Sequence, residues 1–159
     1  MKKMFAVCGI LFVLVAGCGQ RQSADKQQSA DKNKNSYVNQ AKMYLEQANL
    51  PKAIENLDNA IKHDPKNEEN YLFLGQIYLR LKNYPRAVDT FTAATRVSPQ
   101  SGEAYYLLAY SMALNGDFKT AMAVNQQSVG IFAKNKDQER LKRSLTLLKS
   151  LDTEIKKTP

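Results

Sequence analysis

One histidine, two cysteines and scattered carboxylates are the residues from which chemistry could be built in this chain. His63 stands alone. A metal site needs further imidazoles, thiolates or carboxylates around it, and acid–base work needs a partner that tunes its pKa; no such set is spaced around His63. It falls in the last turn of an expected helix, where its expected role is contact with the terminal carbonyls. Glu68, Glu69, Asp58 and Asp64 read as solvated faces and helix starts. No Gly-rich phosphate loop and no Gly-x-Ser-x-Gly elbow occurs. The residue types therefore point away from an enzyme: no catalytic residue, no metal ligand and no cofactor is expected.

The two cysteines, Cys8 and Cys18, belong to the N-terminal segment. Met1-Lys2-Lys3 is a short basic start, and Met4 to Ala16 is an almost unbroken apolar run. A spanning helix wants about 20 apolar residues, so this run fits a cleaved secretion signal better than a permanent anchor. Its end, Leu14-Val15-Ala16-Gly17-Cys18, resembles the bacterial lipobox. That resemblance implies removal of residues 1–17 and acylation of Cys18, which would tie the chain to a membrane. Cys8 would be discarded with the signal, leaving no second thiol for a disulfide. An uncleaved anchor or an ordinary signal is the alternative. Gly19, rather than Asp, after the cysteine is similar to lipoproteins sorted to an outer membrane. The implied location is the bacterial envelope, lipid-anchored at the outer membrane and facing the periplasm.

The formal charge of +8 suggests nucleic acid until it is mapped. Residues 36–133 hold nine Lys/Arg and nine Asp/Glu, so the body is neutral. The excess lies at Lys2 and Lys3, in 19–35 at +2 and in 134–159 at +4. Basic ends on a neutral body do not make a DNA-reading face, and no nucleic-acid partner is expected. Gly19 to Asn35 has no aromatic and no large aliphatic residue, and Gln-Ser-Ala-Asp-Lys recurs at 22–26 and 28–32. Such a stretch cannot bury a core, so 18–35 reads as a lipidated cysteine on a disordered tether, with a coil span of about 20–25 Å.

From residue 34 the chain repeats every 34 residues. Tyr37, Tyr71 and Tyr105 are in register, as are Ala41, Gly75 and Ala109; Tyr44, Tyr78 and Met112; Ala53, Ala87 and Ala121. Leu57 and Phe91 match and then meet Asn125; Ala60 and Ala94 then meet Ser128; Pro65 and Pro99 then meet Ala133. The middle unit reads Tyr71-x2-Leu74-Gly75-x2-Tyr78, Ala87-x3-Phe91 and Pro99. This resembles the tetratricopeptide repeat (TPR), with Tyr in place of the first Trp. The implied fold is an all-α TPR solenoid: three antiparallel helix pairs, at about 34–67, 68–101 and 102–135, plus a C-terminal capping helix in 136–159. The apolar spacing gives the same helices independently, near 37–47, 51–63, 69–81, 85–97, 103–115 and 119–132.

In this scheme Gly75, Ala87 and Ala94 let paired helices approach, while Tyr71, Leu74, Tyr78 and Phe91 fill the space between. Ser101 lies outside the packing pattern, so its replacement by Ala is expected to stay within about 0.5 kcal/mol. The last segment shows a stripe of Leu141, Leu145, Leu148, Leu151 and Ile155 that leaves the repeat register. A cap over the open end of the array is the main reading; a membrane-surface helix carrying Arg140, Lys142 and Arg143 is the other.

The TPR resemblance also implies a concave groove lined by the first helix of each pair. Its positions carry over to Val38 and Lys42, to Leu72, Gln76 and Leu79, and to Tyr106 and Tyr110, with Asn35, Leu45, Glu69, Glu103 and Ala113 around them. The Lys and Asn set with which some TPR domains hold a terminal carboxylate falls here on Val38, Leu72 and Tyr106, so that clamp is missing. An apolar and aromatic groove edged by Lys42, Gln76 and Arg80 suits a protein or peptide partner with apolar anchors. Alternatively, Tyr106 and Tyr110 pack under the C-terminal helix. The expected function is a membrane-tethered adaptor or scaffold in envelope assembly or maintenance. The alternatives are a self-associating structural lipoprotein, with Asn125 and Ser128 as a polar seam, and a binder of anionic envelope polymers through the basic C-terminal region.

Overall fold

The computed structural model describes residues 36–157. The expected signal peptide, the lipid on Cys18 and the tether lie outside them. The described residues form seven helices and no strand. They are α1 (36–46), α2 (Leu50–His63), α3 (Glu68–Arg80), α4 (Tyr84–Val97), α5 (Gly102–Leu114), α6 (Phe118–Lys134) and α7 (Gln138–Lys157). The three pairs and the added terminal helix are the architecture expected from the repeat.

One turn closes every pair. At Ala48, Lys82 and Gly116, in 34-residue register, φ is +55°, +56° and +91°. This left-handed residue folds the chain back so that the next N–H reaches a carbonyl of the last helical turn. Asn49 donates to Tyr44 at 2.7 Å, Asn83 to Tyr78 at 2.9 Å and Asp117 to Met112 at 3.0 Å. The same three residues then cap the second helix, each side chain accepting from a backbone N–H: Lys52, Arg86 and Thr120, at 3.3, 3.3 and 3.1 Å. Pro51 and Pro85 follow in the first turn, where no donor is lost.

Between pairs, α2 and α4 stop two residues before Pro65 and Pro99. Ala133 holds that register position in the third unit, and α6 runs on to Lys134, 17 residues against 14 for α2 and α4. It ends in the turn otherwise used within pairs: Lys136 has φ +56°, and Asp137 donates to Phe132 at 3.0 Å and caps α7 through Arg140 at 3.1 Å. The lost proline thus explains why α7 leaves the 34-residue register.

The core follows the repeat. Ala53, Leu57, Ala60, Leu74, Ile77, Ala87, Phe91, Ala94, Ala109 and Ala121 are buried. A Cβ built on Gly75 would lie 2.5 Å from Cε1 of Phe91, so only glycine allows that ring its place. Gly102 and Phe132 repeat this contact at 2.7 Å, a pair outside the repeat pattern. Where Leu57 and Phe91 give way to Asn125, the amide is fully buried and donates to the Ser144 carbonyl of α7 at 2.7 Å; Ser128 bonds Ser144 side chain to side chain at 2.8 Å. The polar seam is therefore closed within the chain, and its expected use by a second copy is corrected. The α7 stripe is corrected at Leu145 alone, since Leu141, Leu148 and Ile155 are half-buried and Leu151 is buried. Ser144 and Leu151 are its buried centre, while Leu145, 48% exposed, lies off to one side. A short serine at the contact lets α7 approach α6 closely, which rotates Leu145 outward.

Candidate functional site

The first helices of the pairs present their groove residues in rows. Val38, Leu72 and Tyr106 share a register position and are all half-buried. Lys42, Gln76 and Tyr110, one turn further on, are all exposed. The neighbouring row of Ala41, Gly75 and Ala109 is buried in the array. Helical spacing makes this division, since i and i+4 share a face and i+3 already turns toward the partner helix. Leu72 and Leu79 are placed differently from the expected anchors: both pack partly against the hydrophobic core. Their exposed share contributes surface, and their buried share holds α3 in place.

Two cavities bracket this middle stretch. One, of about 330 Å³ between α1 and α3, is lined by Val38, Asn39, Lys42, Asn67, Glu69, Asn70 and Phe73. The other, of about 410 Å³, brings Tyr106 and Tyr110 of α5 against Lys142, Arg143, Thr146 and Leu147 of α7. In it the two tyrosine rings are near parallel, 7° apart, with centres 6.4 Å from each other. The Arg143 guanidinium lies 4.5 Å from the centre of the Tyr106 ring and 2.5 Å from the Glu103 carboxylate, which Arg140 also approaches at 3.9 Å. Burial pushes the Tyr106 phenol above its ordinary pKa, Arg143 pulls it back, and Glu103 and Tyr110 add to the rise. Thus α7 flanks Tyr106, while Tyr110 stays 40% exposed.

The lone histidine has a packing role. Its ring stacks on Tyr37 with centres 5.1 Å apart and planes at 22°, because the antiparallel pair sets the end of α2 beside the start of α1. Among the described residues no three His, Cys, Asp or Glu side chains cluster as a metal site, and no helix is long and apolar enough to cross a membrane.

Residues 44–109 match the family model of the tetratricopeptide repeat. The fold is a TPR solenoid. Solved structures agree at low identity. The TPR2B domain of yeast Sti1, in a pHsp70 complex, superposes with a TM-score of 0.71 at 15% identity, over 77% of this chain and 98% of that one. A type III secretion complex from Aeromonas hydrophila gives 0.72 at 14%, over 80% and 85%. The Yersinia enterocolitica secretion chaperone SycD, with a peptide of the translocator YopD, gives 0.68 at 13%, over 76% and 92%. No curated protein matches the chain.

Within the TPR array, sequence reasoning missed Asn70. It is 2% exposed, lines the α1–α3 cavity, and its Nδ2 has no hydrogen-bond partner. The signal was present: its register mates are Ser36 and Ala104, both small. Also unforeseen was that α7 contributes Arg143 to the wall beside Tyr106, which periodicity within one helix could not reveal.

Proposed function

We propose that this chain is a membrane-tethered TPR adaptor that holds a peptide segment of a protein partner across α1, α3 and α5, serving assembly or maintenance of a bacterial envelope. The observation that carries the binding surface is the exposed row of Lys42, Gln76 and Tyr110 above the half-buried row of Val38, Leu72 and Tyr106. A fold alone could leave those positions polar and varied. Here the lower row is apolar or aromatic, which gives a peptide something to bury. Structures of the same fold with bound peptides, SycD with a YopD segment among them, support that use of the surface. The tether rests on the resemblance of Leu14 to Cys18 to a lipobox, and Cys18→Ser is expected to leave a precursor about 17 residues longer, unprocessed by the lipoprotein route.

The test is capture of envelope proteins by the full chain and by a Lys42→Ala, Gln76→Ala, Tyr110→Ala variant. These three are exposed, so helix content by circular dichroism should be unchanged. Losing central anchors commonly costs about 2 kcal/mol or more, so captured partner should fall roughly thirtyfold. A folded variant that captures as much as the wild type refutes the groove.

A further inference from the structure

Each repeat covers one side of its first helix with its second helix, and α7 leaves that side bare. The eighth residue after the N-cap shows it. That residue is Gly75 in α3, beside the Phe91 ring of α4, and Ala109 in α5, which is fully buried. Counted from Asp137, which caps α7 by accepting from the Arg140 N–H, the same position is Leu145, 48% exposed. Among the described residues no second helix follows α7. A helix seated as in the repeats would also not fit. The repeats admit only glycine or alanine at this position, since a Cβ on Gly75 would already lie 2.5 Å from Phe91, and Leu145 adds a branched side chain.

The unpaired charges around Leu145 are of one sign. Arg140 and Arg143 are turned to Glu103, while Lys156 and Lys157 pair with Asp152 and Glu154. Lys142 and Lys149 enter none of these pairs and are exposed. They stand three residues before and four after Leu145, hence on its side of the helix. With Gln138, Leu141 and Thr146 these residues line a hollow of about 310 Å³. A second copy fits this face badly, because a two-fold contact about Leu145 would set the lysines of both copies against each other. An anionic bilayer surface fits it. Such a surface attracts the lysines, moulds around a protruding leucine and brings no helix to clash. Seventeen residues separate Cys18 from Ser36, and as a coil they would span about 20–25 Å. One leucine and two lysines bind a bilayer weakly, but a bilayer held that close meets them at high effective concentration.

We infer that the outer face of α7 docks the folded array on an anionic bilayer surface, with Leu145 entering the interface and Lys142 and Lys149 facing the headgroups. This rests on the anchor at Cys18 and not on the groove.

The experiment uses the mature chain isolated from membranes, ¹³C-labelled at its leucine methyls, in lipid nanodiscs. The lipid is phosphatidylcholine, with or without about 30% phosphatidylglycerol, plus a trace of lipid carrying a nitroxide near its headgroup. In anionic discs the paramagnetic relaxation of the Leu145 methyls should be roughly fivefold that of Leu81 and Leu114, which are exposed elsewhere on the array. Neutral discs should cut this preference about threefold, and so should Lys142→Gln combined with Lys149→Gln, with helix content unchanged. Equal relaxation of the three leucines overturns the inference, as does a preference that persists in neutral discs or in the double variant. Heparin that shifts the Lys142 and Lys149 signals while Leu145 gains no relaxation from the lipid also overturns it, and assigns the patch to a soluble polyanion. The mass of the mature chain reports the acyl group on Cys18 separately. An unacylated chain refutes the tether and this inference with it, whereas an acylated chain without the Leu145 preference refutes the α7 face alone.

Discussion

Ser101 shows how much a single side chain can do outside any packing pattern. It is the N-cap of α5: its Oγ accepts from the Ala104 N–H at 3.1 Å and donates to the Glu68 carboxylate at the start of α3. One hydroxyl thus satisfies a helix terminus and links two successive repeats. The near-neutral substitution expected from sequence is therefore corrected. Removing such a cap costs about 1 kcal/mol, within a range of about 0.5–2. Ser101→Ala should lower the melting temperature measurably in a thermal scan followed by circular dichroism. Thr90→Ala is the comparison, because the exposed Thr90 hydroxyl only donates back to the Arg86 carbonyl of its own helix at 2.7 Å and its removal should cost less. Equal melting of the two variants would show the Ser101 contacts to be without energetic weight. The cap escaped notice because the repeat pattern marks apolar positions, and a serine before a helix is visible only once the helix start is fixed to the residue.

At the scale of the helix, what was legible and what was not divide along physical lines. The pairs were readable because small residues recur every 34 positions at helix contacts, and such contacts tolerate no extra atom, as Gly75 and Phe91 show. The orientation of α7 was legible at Leu141, Leu148, Leu151 and Ile155 but not at Leu145, because a tertiary contact between small polar residues fixes the rotation of the helix. Leu141, Leu145, Leu148, Leu151 and Ile155 fit a helical face by spacing alone. The buried Asn125–Ser144–Ser128 network turns that face by part of a turn and leaves Leu145 in solvent. This orientation can be tested by inverting the expected importance of neighbours. Ser144→Leu would force a branched side chain between α6 and α7, a kind of overpacking that costs about 1–3 kcal/mol. Leu145→Ala, on an exposed site, should stay within about 0.5 kcal/mol. Denaturant melts of both variants decide it: a more damaging Leu145→Ala would restore the sequence-based stripe and refute the packing described.

Across the whole molecule, charge separates two ways of meeting a partner. The net +8 lies at the ends while residues 36–133 balance, and 134–159 carries +4. That segment is not a uniform basic surface. Arg140 and Arg143 are paired with Glu103, and Arg143 also covers Tyr106. Lys149 stands on the outer side of α7, beside Leu145 and away from this contact. An array of this kind passes strain only between neighbours, so the two kinds of basic residue should have separable effects. Arg143→Glu would set two carboxylates against each other at the α5–α7 contact and uncover Tyr106. Capture by the groove should then weaken, by a factor that depends little on salt because the loss is of wall and packing. Lys149→Glu should leave capture within about twofold, since an exposed charge contributes little beyond a Debye length of about 8 Å at physiological ionic strength. The measurement is capture by each full-length variant at low and high salt. If the chain instead held anionic envelope polymers through its basic end, Lys149→Glu would weaken binding about as much as Arg143→Glu, and wild-type binding would collapse as salt rises. That outcome would move the functional surface from the groove to the outer face of α7.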